Sequence, residues 1–192
     1  MSQSALPAEN AAIIVRKGCE DDIAIIRDIY AEHVLTGLAS FEEAVPDLDE
    51  MERRMRDTLE KGLPYLVAAF AGDPEGTVRG FAYASRFRTR SAYRYTVEDS
   101  VYVEKDSTGR GLGAILLSTL IERCTEIGYR QMIAVIGDSD NAASIGLHAH
   151  LGFIHVGTME AVGFKFGRWV DAVRMQRALG EGSSSLPVKI TQ

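Results

Sequence analysis

Apolar and polar positions alternate through "TVEDSVYVE" (residues 96–104), the pattern of a strand with one buried face. Glycine-studded "STGRGLG" follows at once, and "LGAILLSTLIERCTEIG" then repeats its apolar residues at helical spacing up to Gly128. Upstream, "IIVRK" reads as a first strand. "EDDIAIIRDIYAEHV" reads as a helix from its acidic first turn and its apolar residues at 23, 26, 29, 30 and 34. In "DLDEMERRMRDTLEKG", Leu48, Met51, Met55 and Leu59 form a narrow stripe that predicts a surface helix stopped by Gly62. "PYLVAAFA" and "VRGFAYASR" are strands joined by the turn "GDPEG". "MIAVIG" is apolar throughout, as a strand in a sheet interior would be. "DNAASIGLHAHLG" predicts a helix with Asp140 or Asn141 as its N-cap and Gly152 as its stop. "FIHVGTM" and "WVDAVRMQRAL" close the chain as strands. The order β-α-α-β-β-β-α-β-α-β-β predicts an α/β domain around a central mixed sheet, with right-handed crossovers.

The ends lack this patterning. Residues 1–12 and "GEGSSSLPVKITQ" (180–192) are small, polar and aperiodic, so disordered tails are expected to flank one domain over 13–179. At 192 residues, with 46% apolar and 25% charged, the chain is an ordinary globular one with enough length for a sizeable core. Its formal net charge of −6 and lack of a Lys/Arg-rich run speak against nucleic acid as a partner. The apolar runs are too short to span a membrane and the N-terminus lacks signal-peptide features, so a cytoplasmic protein is expected. Two cysteines, Cys19 and Cys124, make no disulfide framework, and the four histidines have no ligand-like spacing, so no metal is expected.

The turn "TGRGLG" carries the first chemical signal. A helix that starts just after a strand presents unpaired N–H groups and a partial positive charge, which suit an anion. Glycine lets the backbone approach closely and adopt positive φ, and Arg110 offers a bidentate contact to a phosphate oxygen. A P-loop would need a lysine after the glycines, and a dinucleotide fold would need the third glycine at another spacing. Taken alone, the glycines fit an anion site or a capped tight turn equally well.

The neighbouring segments narrow this. "YVEKDSTGRGLGAILL" followed by "NAASIGLHAHLGF" resembles the acetyl-CoA-binding core of the GNAT N-acetyltransferase superfamily. "ASFEEAVP", "TVEDSVYV", "AVIGDSDNAASIGLHAHLGF" and "VGFKFGRWVD" are similar, in that order along the chain, to its phosphinothricin and methionine sulfoximine N-acetyltransferase subfamily. The resemblance implies a GNAT fold with a central mixed sheet flanked by helices. It also implies acetyl transfer from acetyl-CoA, as cosubstrate, to the α-amine of a small amino-acid-like acceptor in a direct ternary complex. Homodimers are common in such relatives.

Site residues follow from the same match. The family loop, Q/R-x-x-G-x-G/A, maps onto Thr108, Gly109, Arg110, Gly111, Leu112 and Gly113, with Ala114 next; Thr108 departs from the usual Gln or Arg. Val101, Tyr102 and Val103 correspond to the strand that runs beside the cofactor, where a bulge would free amides to polarise the acetyl oxygen. Glu98 matches the proposed general base, and Asp99 on the opposite strand face is expected to be structural. Asn141, Ser144 and His148 lie on one helical stripe, because successive residues turn by about 100°. Asn141 and Ser144 are expected to contact the cofactor, and His148 stands where many relatives carry a tyrosine proposed as general acid. His33 and His150 are expected in solvent. For an anionic acceptor, Arg86 and Arg88 in "RFRTRSAYRY" are candidate ligands, with Arg86, Arg88 and Arg90 on one side if the strand persists. Phe41 and Tyr93 are candidate pocket walls, and Lys165 with Trp169 is expected to shape the pocket or a dimer contact.

Other readings remain open at this level. The acceptor could be a protein N-terminus, a polyamine or an aminoglycoside, although the arginines would repel polycations. A non-catalytic CoA-binding regulatory module is a further alternative, against which Glu98 and His148 argue.

Overall fold

The computed structural model describes residues 11–190. Strand β1 (Ile13–Lys17) leads through a 3-10 turn (Glu20–Asp22) into α1 (Ile23–Thr36), and α2 (Leu48–Glu60) follows. Then come β2 (Tyr65–Phe70), β3 (Gly80–Arg86), β4 (Thr96–Val103), α3 (Leu112–Ile127), β5 (Gln131–Gly137), α4 (Ala142–His150), β6 (Ile154–Lys165) and β7 (Arg168–Ala178). The seven strands form one sheet in the order β1-β2-β3-β4-β5-β7-β6. Only β4 and β5 pair in parallel, and the other neighbours are antiparallel. The expected element order is the observed one.

Several boundaries differ for local reasons. The acidic trio at 20–22 forms a 3-10 turn instead of the first turn of α1. Asp22 is buried; its carboxylate accepts from the Cys19 N–H at 2.9 Å and pairs with Arg16 at 2.7 Å, which holds it off the helix axis. Arg16 brings the Asp22 carboxyl below its ordinary range, although burial pulls the other way. In α2 the expected Met51 and Met55 are buried and Leu59 packs partly buried beside them, Thr58 joins them, and Leu48 stays exposed at the helix start. The third strand begins at Gly80 and stops at Arg86, so the arginines beyond it do not alternate. Strand β6 runs well past the expected Met159, bulging between Met159 and Gly163 on its way to Lys165.

The sheet separates two apolar layers. On one face, Leu112, Leu116, Leu117, Leu120 and Cys124 of α3 pack on Ala82, Ala84, Val97, Met132, Ala134, Val173 and Met175. On the other face, Ile26, Ile29, Tyr30 and Val34 of α1 and Met51 and Met55 of α2 cover Tyr65, Val67 and Phe81. Each fully buried Leu, Ile or Met contributes roughly 1.5–3 kcal/mol. Residues 1–10 of the expected N-terminal tail lie outside the described residues. The expected C-terminal tail turns over 180–185 and runs on without regular structure to 190: Arg130 donates to Ser185 Oγ (3.1 Å) and the Leu186 carbonyl (3.2 Å), and Ile190 packs against the core.

Candidate active site

Strands β4 and β5 pair over three rungs, Thr96↔Gln131, Val97↔Met132 and Glu98↔Ile133. Beyond Glu98 they separate, while β4 continues to Val103 and β5 to Gly137. Every second N–H and C=O of β4 that pointed towards β5 then has no ladder partner there. The gap holds a cavity of about 50 Å³ lined by Asp99, Val101, Tyr102, Ile136, Asn141 and His148, among others. The β3–β4 ladder keeps one register from Arg86↔Val97 to Gly80↔Val103. The expected bulge at Val101–Val103 is therefore absent; splaying of β4 from β5 opens the strand edge instead. Val101 and Val103 pack towards α3, and Tyr102 lies on the opposite face, edge-on to Tyr30 (5.0 Å) and stacked on Phe81 (5.1 Å). His33 is not left in solvent: its Nε2 bonds the Val103 carbonyl at 2.9 Å.

The glycine turn stands at the end of β4. Thr108 donates its hydroxyl to the Lys105 carbonyl (2.9 Å), closing a single 3-10 turn. Gly109 (φ 73°) and Gly111 (φ 87°) both lie in the left-handed region, where an L side chain is strained. They turn the chain so that α3 begins at Leu112. The N–H groups of Leu112, Gly113 and Ala114 belong to the first turn of the helix and have no carbonyl four residues back. A Cβ at Gly113 would sit 3.2 Å from Leu147, so α3 and α4 approach closely there. Arg110 lays its guanidinium over Phe70, 3.7 Å from the ring centroid. These residues fit the expected cofactor: a Cβ added at Gly109 would meet nothing within 4 Å, so an anion can approach the amides at the mouth of α3.

Glu98 is the last rung before the strands part, and its side chain is half-buried on the α1/α2 face. Burial pushes its carboxyl up; Arg88 opposes this, Asp99 adds to it and Arg174 opposes it. Asp99 points to the other face, and here the structure adds what the sequence reading missed. Its Oδ2 meets His148 Nε2 at 3.0 Å, with both side chains buried. His148 Nδ1 meets the Ser144 carbonyl at 2.7 Å. Both partners are acceptors, so both ring nitrogens carry protons unless Asp99 does. Burial alone would lower the His148 pKa, but the Asp99 bond and charge and the Ser144 carbonyl outweigh it, and the net shift is upward. Asp99 Oδ1 is buried without a hydrogen-bond partner. The signal for this pair was the apolar–Asp–apolar alternation of Val97, Asp99 and Val101, which puts a carboxylate on a buried face.

Asn141 caps α4 by accepting from the Ser144 N–H at 3.1 Å, and both residues also line the gap. Glu98 and His148 therefore flank one opening from opposite faces of the sheet.

The remaining candidates divide. Arg88 acts on Glu98, stacks on Phe87 (4.4 Å to the ring) and donates to the Phe87 carbonyl (2.9 Å). Tyr93 meets the same ring edge-on at 5.6 Å. Arg86, the last residue of β3, follows Ala82 and Ala84 onto the α3 face, where it acts on Tyr129, so it does not share a face with Glu98. Arg86, Arg88, Arg90, Arg94 and Lys189 line one cleft of about 530 Å³ whose lining includes no carboxylate. Phe41 packs on Gly163, where an added Cβ would lie 2.1 Å from its ring. Lys165 is fully buried, and its ammonium donates to the carbonyls of Gly37 (2.9 Å) and Ser40 (2.7 Å). It thus organises the loop that carries Phe41. Gly137 completes that contact, since a Cβ there would lie 2.1 Å from the Leu38 carbonyl.

The Acetyltransferase (GNAT) domain family matches residues 15–174. The chain belongs to this family. Among GNAT relatives, the phosphinothricin N-acetyltransferase of Alcaligenes faecalis is 53% identical over 176 residues, covering 92% of this chain and 87% of that one. The L-methionine sulfoximine/L-methionine sulfone acetyltransferase of Pseudomonas aeruginosa is 43% identical over 155 residues, covering 81% and 88%. A GNAT phosphinothricin acetyltransferase of Sinorhizobium meliloti, solved in complex with AcCoA, superposes with a TM-score of 0.87 at 47% identity, covering 92% of this chain and 94% of that one. The fold of this GNAT acetyltransferase is accordingly the mixed seven-strand sheet flanked by helices described above. No helix among the described residues is long and apolar enough to cross a membrane.

Proposed function

We propose that this enzyme transfers the acetyl group of acetyl-CoA to the α-amine of a small amino acid with an acidic or strongly polar head, of the phosphinothricin, methionine sulfoximine or methionine sulfone type. The observation that carries the reading is Glu98, half-buried at the rung where β4 and β5 part and subject to two arginines. The curated relatives' names point to the same substrate class. Acetyl-CoA supplies the activated acetyl group, and its pyrophosphate suits the amides of Gly109–Ala114. An amine is mostly protonated at neutral pH and must lose a proton before it can attack. Glu98, its carboxyl raised by burial, takes that proton directly or through water. The amides of Val101 and Val103, which face the gap while that of Tyr102 stays in the β3–β4 ladder, stabilise the developing oxyanion, each such donor being worth roughly 2.7–4 kcal/mol. His148, held as a cation, stabilises the departing thiolate and returns a proton to it from Nε2 as the Asp99 bond breaks.

Transfer is direct. Cys124 is buried in α3 with its thiol pushed up to about 12 by burial and by Asp99, and Cys19 bonds Asp22 beside β1. Neither offers a thiolate at the gap. The test is a thiol-release assay over a panel of amines. Phosphinothricin, methionine sulfoximine and methionine sulfone should be turned over; a chain that acetylates only peptides, polyamines or aminoglycosides would overturn the assignment.

The enzyme is read as a homodimer. Val162, Phe164, Phe166 and Trp169 crowd the exposed β6–β7 hairpin, with Phe164 and Trp169 edge-to-face at 5.2 Å. An apolar patch on an edge strand calls for a partner, and a second copy offers the same surface. Sedimentation should give a dimer that Phe164→Ser with Trp169→Ser converts to a monomer. A monomeric wild-type enzyme at tens of micromolar would refute this.

A further inference from the structure

Arg174 lies in the closing strand "WVDAVRMQRAL", to which the sequence assigned no chemistry, yet it stands on the acceptor side of the sheet. Its neighbours Val173 and Met175 are in the α3-side core, so Arg174 projects to the face that holds Glu98. It pairs with Val135 of β5, whereas Ile133, two residues earlier, pairs with Glu98. Because β4 and β5 run parallel, Arg174 lies level with the opening, just past the last β4–β5 rung. It is two strands from Glu98, about 10 Å along the sheet. Its Nε is buried without a hydrogen-bond partner, and no carboxylate among the described residues pairs with it. A buried guanidinium donor lacking an acceptor is costly unless a ligand supplies one.

The acceptor's own covalent geometry says which group that is. In an α-amino acid the amine and the carboxylate share one carbon, so an amine delivered to Glu98 brings its carboxylate within about 3 Å of the amine nitrogen. Arg88 is already turned onto Phe87 at the outer cleft. We propose that Arg174 is the acceptor-binding residue that takes the α-carboxylate through its guanidinium fork, leaving Arg88 and the basic cleft for the anionic or polar head. The assignment rests on the α-amino-acid reading above and makes it specific: the enzyme selects acceptors with a free carboxylate next to the amine.

The test compares methionine sulfone with its α-carboxamide on wild-type enzyme, Arg174→Met and Arg174→Lys. Loss of a charged hydrogen-bonding partner predicts a KM for methionine sulfone raised by about 10- to 100-fold in Arg174→Met. The carboxamide KM and the acetyl-CoA KM should stay within about twofold of wild type. Arg174→Lys, which keeps the charge and loses the fork, should recover part of the preference. Equal KM changes for the acid and the carboxamide, or none for the acid, would overturn the assignment. Wild-type enzyme that acetylates neither compound would instead overturn the α-amino-acid reading, so the two failures are distinguishable. Should Arg174→Met not fold, the acid-to-carboxamide ratio in Arg174→Lys decides alone: an unchanged ratio refutes the role.

Discussion

Glu98→Gln should lower kcat by about two to four orders of magnitude while acetyl-CoA binding stays close to wild type. The amide keeps the size and hydrogen-bonding capacity of the side chain but accepts no proton. Its site on the α1/α2 face lies away from the glycine turn that faces the cofactor. In the wild-type enzyme the base must be ionised. Burial raises its carboxyl, so the acidic limb of the kcat profile should fall above the ordinary glutamate value of about 4.3. Arg88 and Arg174 keep that rise moderate by favouring the carboxylate, and Asp99 adds to it. The measurement is steady-state kinetics with a saturating acceptor. A Glu98→Gln enzyme with wild-type kcat between about pH 6 and about pH 9 would remove this residue from proton transfer.

Asp99→Ala should destabilise the fold by about 3–5 kcal/mol, because it strips the partner from a buried imidazolium. For a chain of this length that is a fall in Tm of roughly 6–20 °C. The pH dependence carries the sharper signature. His148 has its folded pKa raised, despite burial, by Asp99 and the Ser144 carbonyl. The pair's stabilisation is therefore fully present below the unfolded histidine value of about 6.5 and fades as pH rises through the folded value. In Asp99→Ala burial is left largely unopposed, the folded pKa drops, and the dependence reverses, so the variant gains stability as pH rises. Urea unfolding across that range reads both effects. Replacing the two together, Asp99→Leu with His148→Phe, should recover much of the loss, because no buried charge then lacks a partner. Wild-type stability in Asp99→Ala would show that the pair contributes nothing to the fold.

Much of the fold is local and was readable from the sequence. The alternation in 96–103, the helical period in 112–127 and the capping chemistry at Asn141 each specify one element from neighbouring residues. The boundaries that moved did so because a distant partner intervened: Arg16 drew Asp22 out of the helix, and the strand carrying the arginines ended at Arg86. The site was legible where short motifs carry it, at Glu98, the glycine turn and the 141–148 stripe. It was illegible where a side chain's partner is far away in the chain. Asp99 looked merely structural because its partner is 49 residues away. Lys165 was expected, from the family match alone, to shape the pocket or a dimer contact, and no local pattern shows that it is buried. Two carbonyls of the loop that carries Phe41 satisfy its ammonium.

By itself, the sequence determined the class of element at nearly every position, the anion-friendly helix mouth and the family whose chemistry it resembles. Those depend on periods of two and about 3.6 residues and on the backbone freedom of glycine, all of which act over a few residues. Tertiary structure alone decided that β4 and β5 separate after Glu98, that Glu98 and His148 approach the gap from opposite faces, and that Arg174 stands level with it. These are matters of strand register and sheet order, fixed by pairings between residues far apart in the chain, and no local pattern encodes them.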